Sequence, residues 1–551
     1  MQAGNVSPTL LGACVRSQPP RGKSGSHFSA KLADMTTRRH FLATTLATAG
    51  VGLLTPRHAR PMDDFRFGKN PFSLGVASGY PTPDGMVLWT RLALSPLEPG
   101  GGMPQEVLPV QWEIAGDDRM RNVIQHGTAY ATPEWAHSIH VEPSGLDAGR
   151  EYWYRFESGG ERSPIGRTRT APEKGAPLDK LKLGLVCCQH YEQGYYSAYR
   201  HMLADDLDLI VHVGDYIYEG NSVKKVRHHD MPVAFTLDDY RARHALYRGD
   251  HDLANAHAAA PWLLIWDDHD VANDYANDVS EDDDDPQLFL TRRAAAYQAY
   301  YEHMPLPRWA VPSGPAMRLY ASRSFGNLAS IVLLDQRQYR APEACPPLGR
   351  AGGHRVDEVK CPELDDPNRT MLGGRQEAWM QGQLSGSETR WNLLAQGTLM
   401  AHNNEAPLPE HRYWTDAWNG YPAARDRLMK FLYERHISNP VVLSGDIHAF
   451  VVSGLHLKAP NLDSPMVAPE FVTTSVTSDS VDESYFETAR KLNPNLLTAT
   501  GLYRGYMRLE ITHDQLRTDL VTIDSVKEAD AGRKTLISYV VEAGRPAPVA
   551  V

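Results

Sequence analysis

Four short apolar runs in this chain each end in side chains that can bind a metal ion. In open α/β sheets, ligands bind beyond the carboxyl ends of the strands, so these runs predict four loops that converge on one site. The runs and the groups that follow them are Leu181–Val186 with Cys187-Cys188-Gln189-His190, Leu207–Val213 with Gly214-Asp215-Tyr216-Ile217-Tyr218-Glu219, Trp262–Trp266 with Asp267-Asp268-His269-Asp270, and Val441–Ser444 with Gly445-Asp446-Ile447-His448.

A helical stretch over Tyr195–Asp205 separates the first two runs, so strand, loop, helix and strand follow one another. We therefore expect an α/β domain over residues 181–540. Residues 65–172 instead alternate short apolar and polar runs between turn residues, which predicts an antiparallel β-sandwich of the immunoglobulin or fibronectin type. Leu146–Phe156 is typical of the corner and late strand of such a domain. Thr170–Asp179 is the expected linker.

The first 62 residues are predicted to be a disordered leader followed by a signal peptide. Arg38-Arg39 precedes an apolar run from Phe41 to Leu54, the pattern of a twin-arginine signal, with a basic patch before a buried helix as the alternative. Met35 is a second candidate start. We expect the twin-arginine export machinery as a partner and a periplasmic or secreted location.

Composition narrows the function. The net charge is −11, which disfavours nucleic-acid binding by a basic surface but leaves a phosphate ester as substrate, because bound metal ions can invert the local field. No apolar run is long enough for a transmembrane segment.

Five cysteines are too few for a disulfide scaffold, but an exported protein permits disulfides, so we predict that Cys345 pairs with Cys361.

The residue types at the four strand ends suit a two-metal site. Two metal ions about 3.5–4 Å apart can clamp a phosphoryl group, and they need a bridging carboxylate, for which Asp215 is placed. The thiolate of Cys188 and the phenolate of Tyr218 favour trivalent iron over zinc. An oxygen-rich second position, with Asp268 and Asp446, suits calcium or manganese. Each residue alone is more often structural; their order and spacing carry the prediction.

Ten motifs spread over about residues 70–540 carry a family resemblance: Asn70–Gly79, Asp84–Arg91, Cys188-Gln189, Gly214-Asp215-x-x-Tyr218, Trp266–Asp270, Arg292–Met304, Leu334–Arg340, Trp418–Pro422, Ser444–His448 and Glu470–Ser475. With these motifs the sequence resembles the PhoD-type alkaline phosphatases of the calcineurin-like metallophosphoesterase superfamily. The resemblance implies a phosphate mono- or diesterase with one ferric ion and one or two calcium ions.

Carried over by motif, the metal ligands are Cys188, Asp215, Tyr218, Asp446 and His448. Where the wider superfamily has an Asn ligand, this chain has Asp268, and Asn273 is a second candidate. His269 matches the catalytic histidine, which protonates the leaving oxygen.

The chain departs from the family pattern in two places. Its thiol is doubled as Cys187-Cys188, and we favour Cys188 because it precedes Gln189. The fourth motif lacks the expected His or Asn, which leaves Gln396 as a neutral oxygen ligand.

The resemblance predicts hydrolysis by a metal-activated hydroxide. Arg337 and Arg504 are candidates to steady the phosphoryl oxygens, with a structural ion pair as the alternative for each. Two other functions stay open: a phospholipase D-like phosphodiesterase and a non-catalytic metal-binding surface protein.

Two further segments carry smaller expectations. The acidic run Glu281–Asp285 is expected to be a solvated loop, with a loose calcium site as the alternative. The tail from Ser525 to Val551 is expected to begin as a helix and to pack near the active site.

Overall fold

The structure is a computed structural model that describes residues 66–551. These residues belong to one compact unit. The predicted leader and signal peptide, residues 1–62, lie outside the described residues and stay a prediction. Within the described part, none of the helices is both long enough and apolar enough to cross a membrane.

Residues 66–551 form strands and helices in the following order along the chain. The strands are β1 (Val76–Thr82), β2 (Gly85–Arg91), β3 (Leu108–Ala115), β4 (Val123–Ala131), β5 (Ser138–Val141), β6 (Glu151–Ser158), β7 (Glu161–Arg162), β8 (Gly166–Arg169), β9 (Lys180–Val186), β10 (Leu209–Val213), β11 (Pro261–Ile265), β12 (Ala321–Phe325), β13 (Ala329–Leu333), β14 (Arg355–Asp357), β15 (Trp391–Ala395), β16 (Arg412–Trp414), β17 (Pro440–Ser444), β18 (Phe450–His456), β19 (Met466–Val472), β20 (Leu496–Thr500), β21 (Arg504–Thr512), β22 (Gln515–Ile523), β23 (Arg533–Glu542) and β24 (Val549–Ala550). The α-helices are α1 (Ser197–Leu203), α2 (Leu237–Arg248), α3 (His251–Ala259), α4 (Pro286–His303), α5 (Gly373–Ser385), α6 (Pro422–Glu434) and α7 (Glu483–Leu492).

Two mixed sheets form the larger domain. One has the strand order β24-β23-β22-β21-β9-β10-β11-β1-β2-β5, and the other has the order β12-β13-β15-β17-β19-β18-β20. Apolar side chains from both sheets share one buried cluster, which includes Leu185 and Val211 from the first sheet and Leu393 and Leu443 from the second. Burial on both faces explains why β10, β11 and β17 are mostly apolar and buried at every residue, rather than alternating.

A five-stranded antiparallel sheet of β3, β4, β6, β7 and β8 forms most of the amino-terminal region. The predicted corner is present: the hydroxyl of Tyr152 accepts a hydrogen bond from the backbone N–H of Asp147 at 2.9 Å. The β-rich amino-terminal region and the larger α/β domain confirm the predicted fold class. Strands β1, β2 and β5, however, extend the larger sheet, because β1 pairs in parallel with β11 at Ser78↔Pro261.

The expected helix at the start of the carboxyl-terminal tail is wrong. Residues 525–532 form turns instead of a helix, and residues 533–542 form β23, which pairs antiparallel with β22. The segment is rich in Val, Ile and Tyr, whose branched and aromatic side chains favour strands. The acidic run is also engaged locally, since Asp285 caps the amino terminus of α4 and Glu281 accepts a hydrogen bond from Arg350 at 2.6 Å.

The predicted disulfide is confirmed: Cys345 and Cys361 are bonded, with 16 residues of sequence separation. Their segment is tied down elsewhere by the short pair β14–β16. Closing a loop of about this length lowers the entropy of the unfolded chain.

We predict that replacing both cysteines by serine, Cys345→Ser with Cys361→Ser, lowers the free energy of unfolding by about 3 kcal/mol. Urea unfolding of the variant and the parent protein measures this. An unchanged midpoint and slope would mean that the bridge constrains nothing in the unfolded chain.

Candidate metal centre

The carboxyl ends of four buried strands lead into one cluster of polar side chains. Strands β9, β10 and β11 are parallel neighbours, with His212 opposite Val186 and Val213 opposite Ile265, so their ends lie at the same edge of the sheet. Strand β17 brings the fourth loop from the second sheet. The convergence expected from the sequence is therefore present.

The carboxylate of Asp270 ties two of these loops together. Its Oδ2 accepts hydrogen bonds from the backbone N–H groups of Asp215 and Asp267, both at 3.0 Å, and its Oδ1 accepts from Tyr216 at 3.0 Å and Ile217 at 3.2 Å. Asp270 is buried, and it satisfies backbone donors that no strand partner reaches. It fixes the position of Asp215 relative to the loop after β11.

Four of the predicted ligands have a left-handed backbone. The φ angles are 54° at Cys188, 56° at Asp215, 69° at Asp446 and 54° at His448. This conformation is uncommon for residues other than glycine, and it clusters at functional sites. It turns each side chain away from the path of its strand and toward the shared centre.

One group of donors combines sulfur, oxygen and nitrogen. The ligand atoms of Cys188, Asp215 and His448 lie within 4.8 Å of one another. The hydroxyl of Tyr218 sits among them, donating to Asp215 Oδ2 at 2.8 Å and lying 3.0 Å from His448 Nε2. The phenol, the carboxylate and the imidazole thus face a single point.

Hydrogen bonds show which ring nitrogen of His448, and which of the two adjacent thiols, faces the centre. The Nδ1 of His448 faces the backbone carbonyl oxygen of Asp479, which can only accept, so Nδ1 carries the proton and Nε2 offers its lone pair to the centre. The thiol of Cys187 instead points to the carbonyl oxygens of Thr473 and Thr474. Of the doubled thiols, Cys188 is the one directed at the site.

A second group consists of carboxylates only. Oxygens of Asp215, Asp267 and Asp268 lie within 4.8 Å of one another, and all three residues are buried. Asp215 Oδ1 and Asp267 Oδ2 have no hydrogen-bond partner in the described part of the chain. Asp215 belongs to both groups, as the bridging role predicted for it requires. Asp446 approaches from β17, with its Oδ2 accepting from Thr398 at 2.7 Å.

The carboxyl groups lie close together and out of water, which shifts their pKa values. Burial, together with Asp268, raises the pKa of Asp215 well above its usual range. Burial also raises the pKa of Asp267 to about 8 and that of Asp446 to about 6. Carboxylates brought this close out of water favour a bound cation, which restores their charged forms.

His269 is positioned beside the carboxylates and is still reached by solvent. Its Nδ1 donates to Glu219 Oε2 at 2.8 Å, and its ring packs on Tyr218 with 4.2 Å between centroids. Its side chain is 23 % exposed. Burial lowers its pKa, but the neighbouring Glu219, Asp268 and Asp215 outweigh burial and raise it well above the ordinary value. These neighbouring carboxylates favour the protonated imidazolium form of His269.

The prediction that Arg337 contacts substrate is wrong, and the structural alternative holds. Its side chain is fully buried and pairs with Asp267, with both oxygens of Asp416 at 2.6 and 2.8 Å, and with Asp268 at 3.3 Å. A guanidinium whose donors are used in this way cannot reach a phosphate in the opening. Arg337 instead offsets part of the negative charge behind the site.

Three other predicted residues, Arg504, Gln396 and Asn273, lie outside the two groups of converging ligand atoms. Arg504 donates to the backbone carbonyls of His448 at 3.1 Å, Tyr503 at 2.6 Å and Gly501 at 3.0 Å, so it braces the His448 loop.

Gln396 and Asn273 are also engaged elsewhere. The amide oxygen of Gln396 accepts from Gln336 and from Trp418, at 3.0 Å for the latter, which counts against a role as a metal ligand. The amide of Asn273 donates to Glu281 at 2.7 Å.

Four residues with structural consequences were not singled out from the sequence: Asp267, Asp270, Glu219 and Thr398. Asp267, Asp270 and Glu219 stand within the motifs that led to Asp268, His269 and Tyr218, so the motifs marked the loops but not which member faces inward. Thr398 lies in the fourth-motif segment, two residues after Gln396. Its hydroxyl becomes significant only through its contact with Asp446.

Two packed mixed sheets that direct carboxylate, thiol and imidazole groups from their strand ends to one point suit a metal-dependent hydrolase. Family models agree: the PhoD-like phosphatase model matches residues 183–520, and the model of the PhoD-like phosphatase amino-terminal domain matches residues 57–172. The chain belongs to the PhoD-like phosphatase family.

Individual relatives give the same result. The chain is 44% identical over 485 residues to alkaline phosphatase D of Bacillus subtilis (strain 168), which covers 86% of this chain and 82% of the relative. A solved structure described as "Structure of PhoD" superposes with a TM-score of 0.84 at 43% identity, covering 88% of this chain and 93% of the other. The protein is a phosphoesterase, a hydrolase that acts on phosphate esters.

We predict that Asp270→Asn lowers both the melting temperature and the metal content of the purified protein. The amide places an N–H group against two backbone donors, and leaving these buried donors without an acceptor costs about 2 kcal/mol or more. Differential scanning calorimetry and elemental analysis measure the two effects.

Asp335→Asn is a matched control, because Asp335 is also buried and accepts backbone hydrogen bonds from Arg337 and Gln338, both at 3.1 Å. It should destabilise the protein while leaving the metal content close to that of the parent. Full metal occupancy in Asp270→Asn would show that Asp270 does not hold the ligand loops in place.

Proposed function

We propose that the protein is a two-metal phosphoesterase that holds Fe³⁺ and Ca²⁺ around Asp215. Cys188, Tyr218 and His448 would hold the iron, because thiolate, phenolate and imidazole are better ligands for a trivalent or borderline ion than for calcium. Asp268 and Asp446 would hold calcium, a hard cation that prefers oxygen ligands. Asp215 would bridge the two. One or two calcium ions are compatible with this donor set.

Two observations support metals at this place. Asp215 Oδ1 is buried without a hydrogen-bond partner among the described residues, and the ligand atoms of two separate groups converge with Asp215 in common. A buried, unpartnered carboxylate oxygen is costly unless a cation pairs with it. Asp267, which was not predicted, adds a further carboxylate oxygen on the calcium side.

When bound, the metals would polarise the phosphoryl group and supply a nucleophile at neutral pH. The protein's own side chains complete the reaction. His269 stands at the solvent-facing edge with its Nδ1 held by Glu219, so its Nε2 is the atom that gives a proton to the leaving alcohol oxygen. Glu219 fixes the ring in that orientation, as a carboxylate does for a catalytic histidine.

The observation that supports hydrolysis most directly is the position of His269 beside the carboxylate group. It favours an enzyme over the non-catalytic alternative, because a storage or surface site needs no exposed, carboxylate-held histidine. The preference between phosphate monoesters and diesters is open to direct assay with p-nitrophenyl phosphate and bis-p-nitrophenyl phosphate.

Export and domain organisation are part of the same proposal. We propose that Arg38-Arg39 directs the protein through the twin-arginine machinery to the periplasm or the exterior, folded and loaded with metal. The disulfide between Cys345 and Cys361 suits such a destination. We keep the division into a leader at 1–62, an amino-terminal domain at 65–172 and a catalytic domain at 181–540.

We predict that His269→Ala lowers kcat by about 100-fold or more while metal content changes little, because the histidine transfers a proton and does not hold a metal. Glu219→Gln should lower kcat by a smaller factor. It should also shift the basic limb of the pH–rate profile to lower pH, because loss of the Glu219 charge lowers the pKa of His269. Hydrolysis of p-nitrophenyl phosphate and elemental analysis measure these. A parallel loss of metal and activity in His269→Ala would contradict the assignment.

The adjacent thiols provide a matched pair for the iron site. We predict that Cys188→Ser removes iron and any visible charge-transfer absorption, whereas Cys187→Ser keeps both, because only Cys188 faces Asp215 and His448. Absorption spectra and iron analysis of the two purified variants measure this. Retention of iron in Cys188→Ser with loss in Cys187→Ser would reverse the ligand assignment.

A further inference from the structure

A cavity of about 660 Å³ opens directly beside the metal centre. Asp446, Ile447 and His448, the loop that follows β17, form one of its walls. Its floor is the sheet formed by β18 and β20, where Val451 lies opposite Ala499. The chain passes from the proposed ligands into the floor of the cavity within a few residues, so the two sites are continuous.

Apolar side chains line the cavity beyond its metal end. We call it the apolar pocket, and its defining residues are Leu399, Val451, Val481, Phe486, Ala489 and Leu496. Phe486 and Ala489 are presented by the buried face of α7, whereas Glu487 and Thr488 of that helix are exposed and Tyr485 places its hydroxyl against Glu405 at the cavity wall. The size is typical of cavities that bind small molecules, and an apolar lining favours an apolar occupant.

Charge restricts the occupant further. Among the described residues that line the cavity, the only lysine or arginine is Arg355, and it is already paired with Glu405 at 2.6 Å. Asp482, another lining residue, caps the amino terminus of α7. Acidic residues also line the cavity, among them Asp274, Asp416 and Asp479, so a second negative group on the substrate is disfavoured, and the apolar wall favours an uncharged apolar group.

We propose that the apolar pocket binds the alcohol portion of the substrate, and that the enzyme prefers phosphate esters of uncharged alkyl or aryl alcohols. This rests on the proposed function, since the phosphate must lie at the metal centre for its alcohol to enter the pocket. The phosphoryl group binds between the ligand loops and His269, and the alcohol extends past Ile447 toward Val451 and Phe486.

The test compares ethyl, butyl and hexyl phosphate, whose alcohols have nearly the same acidity and differ mainly in apolar area. For the metal-loaded protein we expect kcat/KM to rise by about fourfold per methylene group, the size of the effect for transfer of a methylene out of water. A flat dependence on chain length overturns the proposal.

Two pocket variants and one control localise the effect. Ala489→Leu narrows the pocket and should reduce the hexyl-to-ethyl ratio of kcat/KM by about tenfold. Val481→Ser, at a position that is 58% exposed and safe for folding, should reduce the ratio by about threefold. Val549→Ser, at a remote position on β24 that is 59% exposed, should keep the parent ratio. Equal ratios in all four proteins contradict the assignment.

Binding of non-hydrolysable ethyl- and hexylphosphonate, measured by calorimetry on the metal-loaded protein, separates this inference from the proposed function. Tighter binding of hexylphosphonate in the parent, lost in Ala489→Leu, supports the pocket even when no ester is turned over. Failure to hydrolyse ethyl or p-nitrophenyl phosphate contradicts the proposed function alone. Equal affinity for the two phosphonates overturns the pocket assignment, whatever the activity.

Discussion

The candidate metal centre depends on a group of acidic side chains that are buried together at the ends of the strands. Oxygens of Asp215, Asp267 and Asp268 are buried within 4.8 Å of one another, Asp416 is buried against Arg337, and Asp446 adds a partly buried carboxylate. The guanidinium of Arg337 contacts three of them, and Arg340 adds a second contact to Asp416. These cations stand behind the site, and Asp215 Oδ1 at its centre has no hydrogen-bond partner among the described residues. The remaining charge is relieved either by protonation of the crowded carboxylates, whose pKa values burial raises, or by a bound cation, which restores their charged forms.

The fold supports this cluster through backbone contacts rather than through further charges. Asp270 accepts four backbone N–H groups from two loops, and Gly214 has a φ of 114° where a side chain would collide with Asp267. The loop of His448 is braced by Arg504 and by the carbonyl of Asp479. Ligands held on the ends of buried strands move little, and this rigidity keeps two sets of donors on either side of one carboxylate.

Much of the architecture and the centre follows from the sequence. Apolar runs with short polar ends predicted the strands, and the residue types at those ends predicted which loops meet, including Cys188, Asp215, Tyr218 and His448. The corner at Tyr152 and the bond between Cys345 and Cys361 were likewise predicted. These features are local, so a short stretch of sequence is enough to specify them.

What the sequence did not predict depends on contacts between distant segments. Arg337 lies in a motif that suits a phosphate contact, yet it is buried because Asp267 and Asp416 meet it from two other loops. Gln396 has an oxygen of the right kind, but Trp418 and Gln336 use it. The helix expected after Ser525 gives way to β23, because β22 presents a long edge for pairing. The apolar pocket, similarly, is assembled from β18, β20 and α7 and has no single sequence motif.

The central claim is that Asp215 joins two metal ions of different kinds. Anomalous diffraction from crystals of the purified protein, recorded on both sides of the iron absorption edge, tests it most directly. The account predicts one iron peak next to Cys188, Tyr218 and His448 and a second peak without iron signal next to Asp268 and Asp446, with Asp215 between them. A single peak, or two peaks that do not share Asp215, would contradict the account.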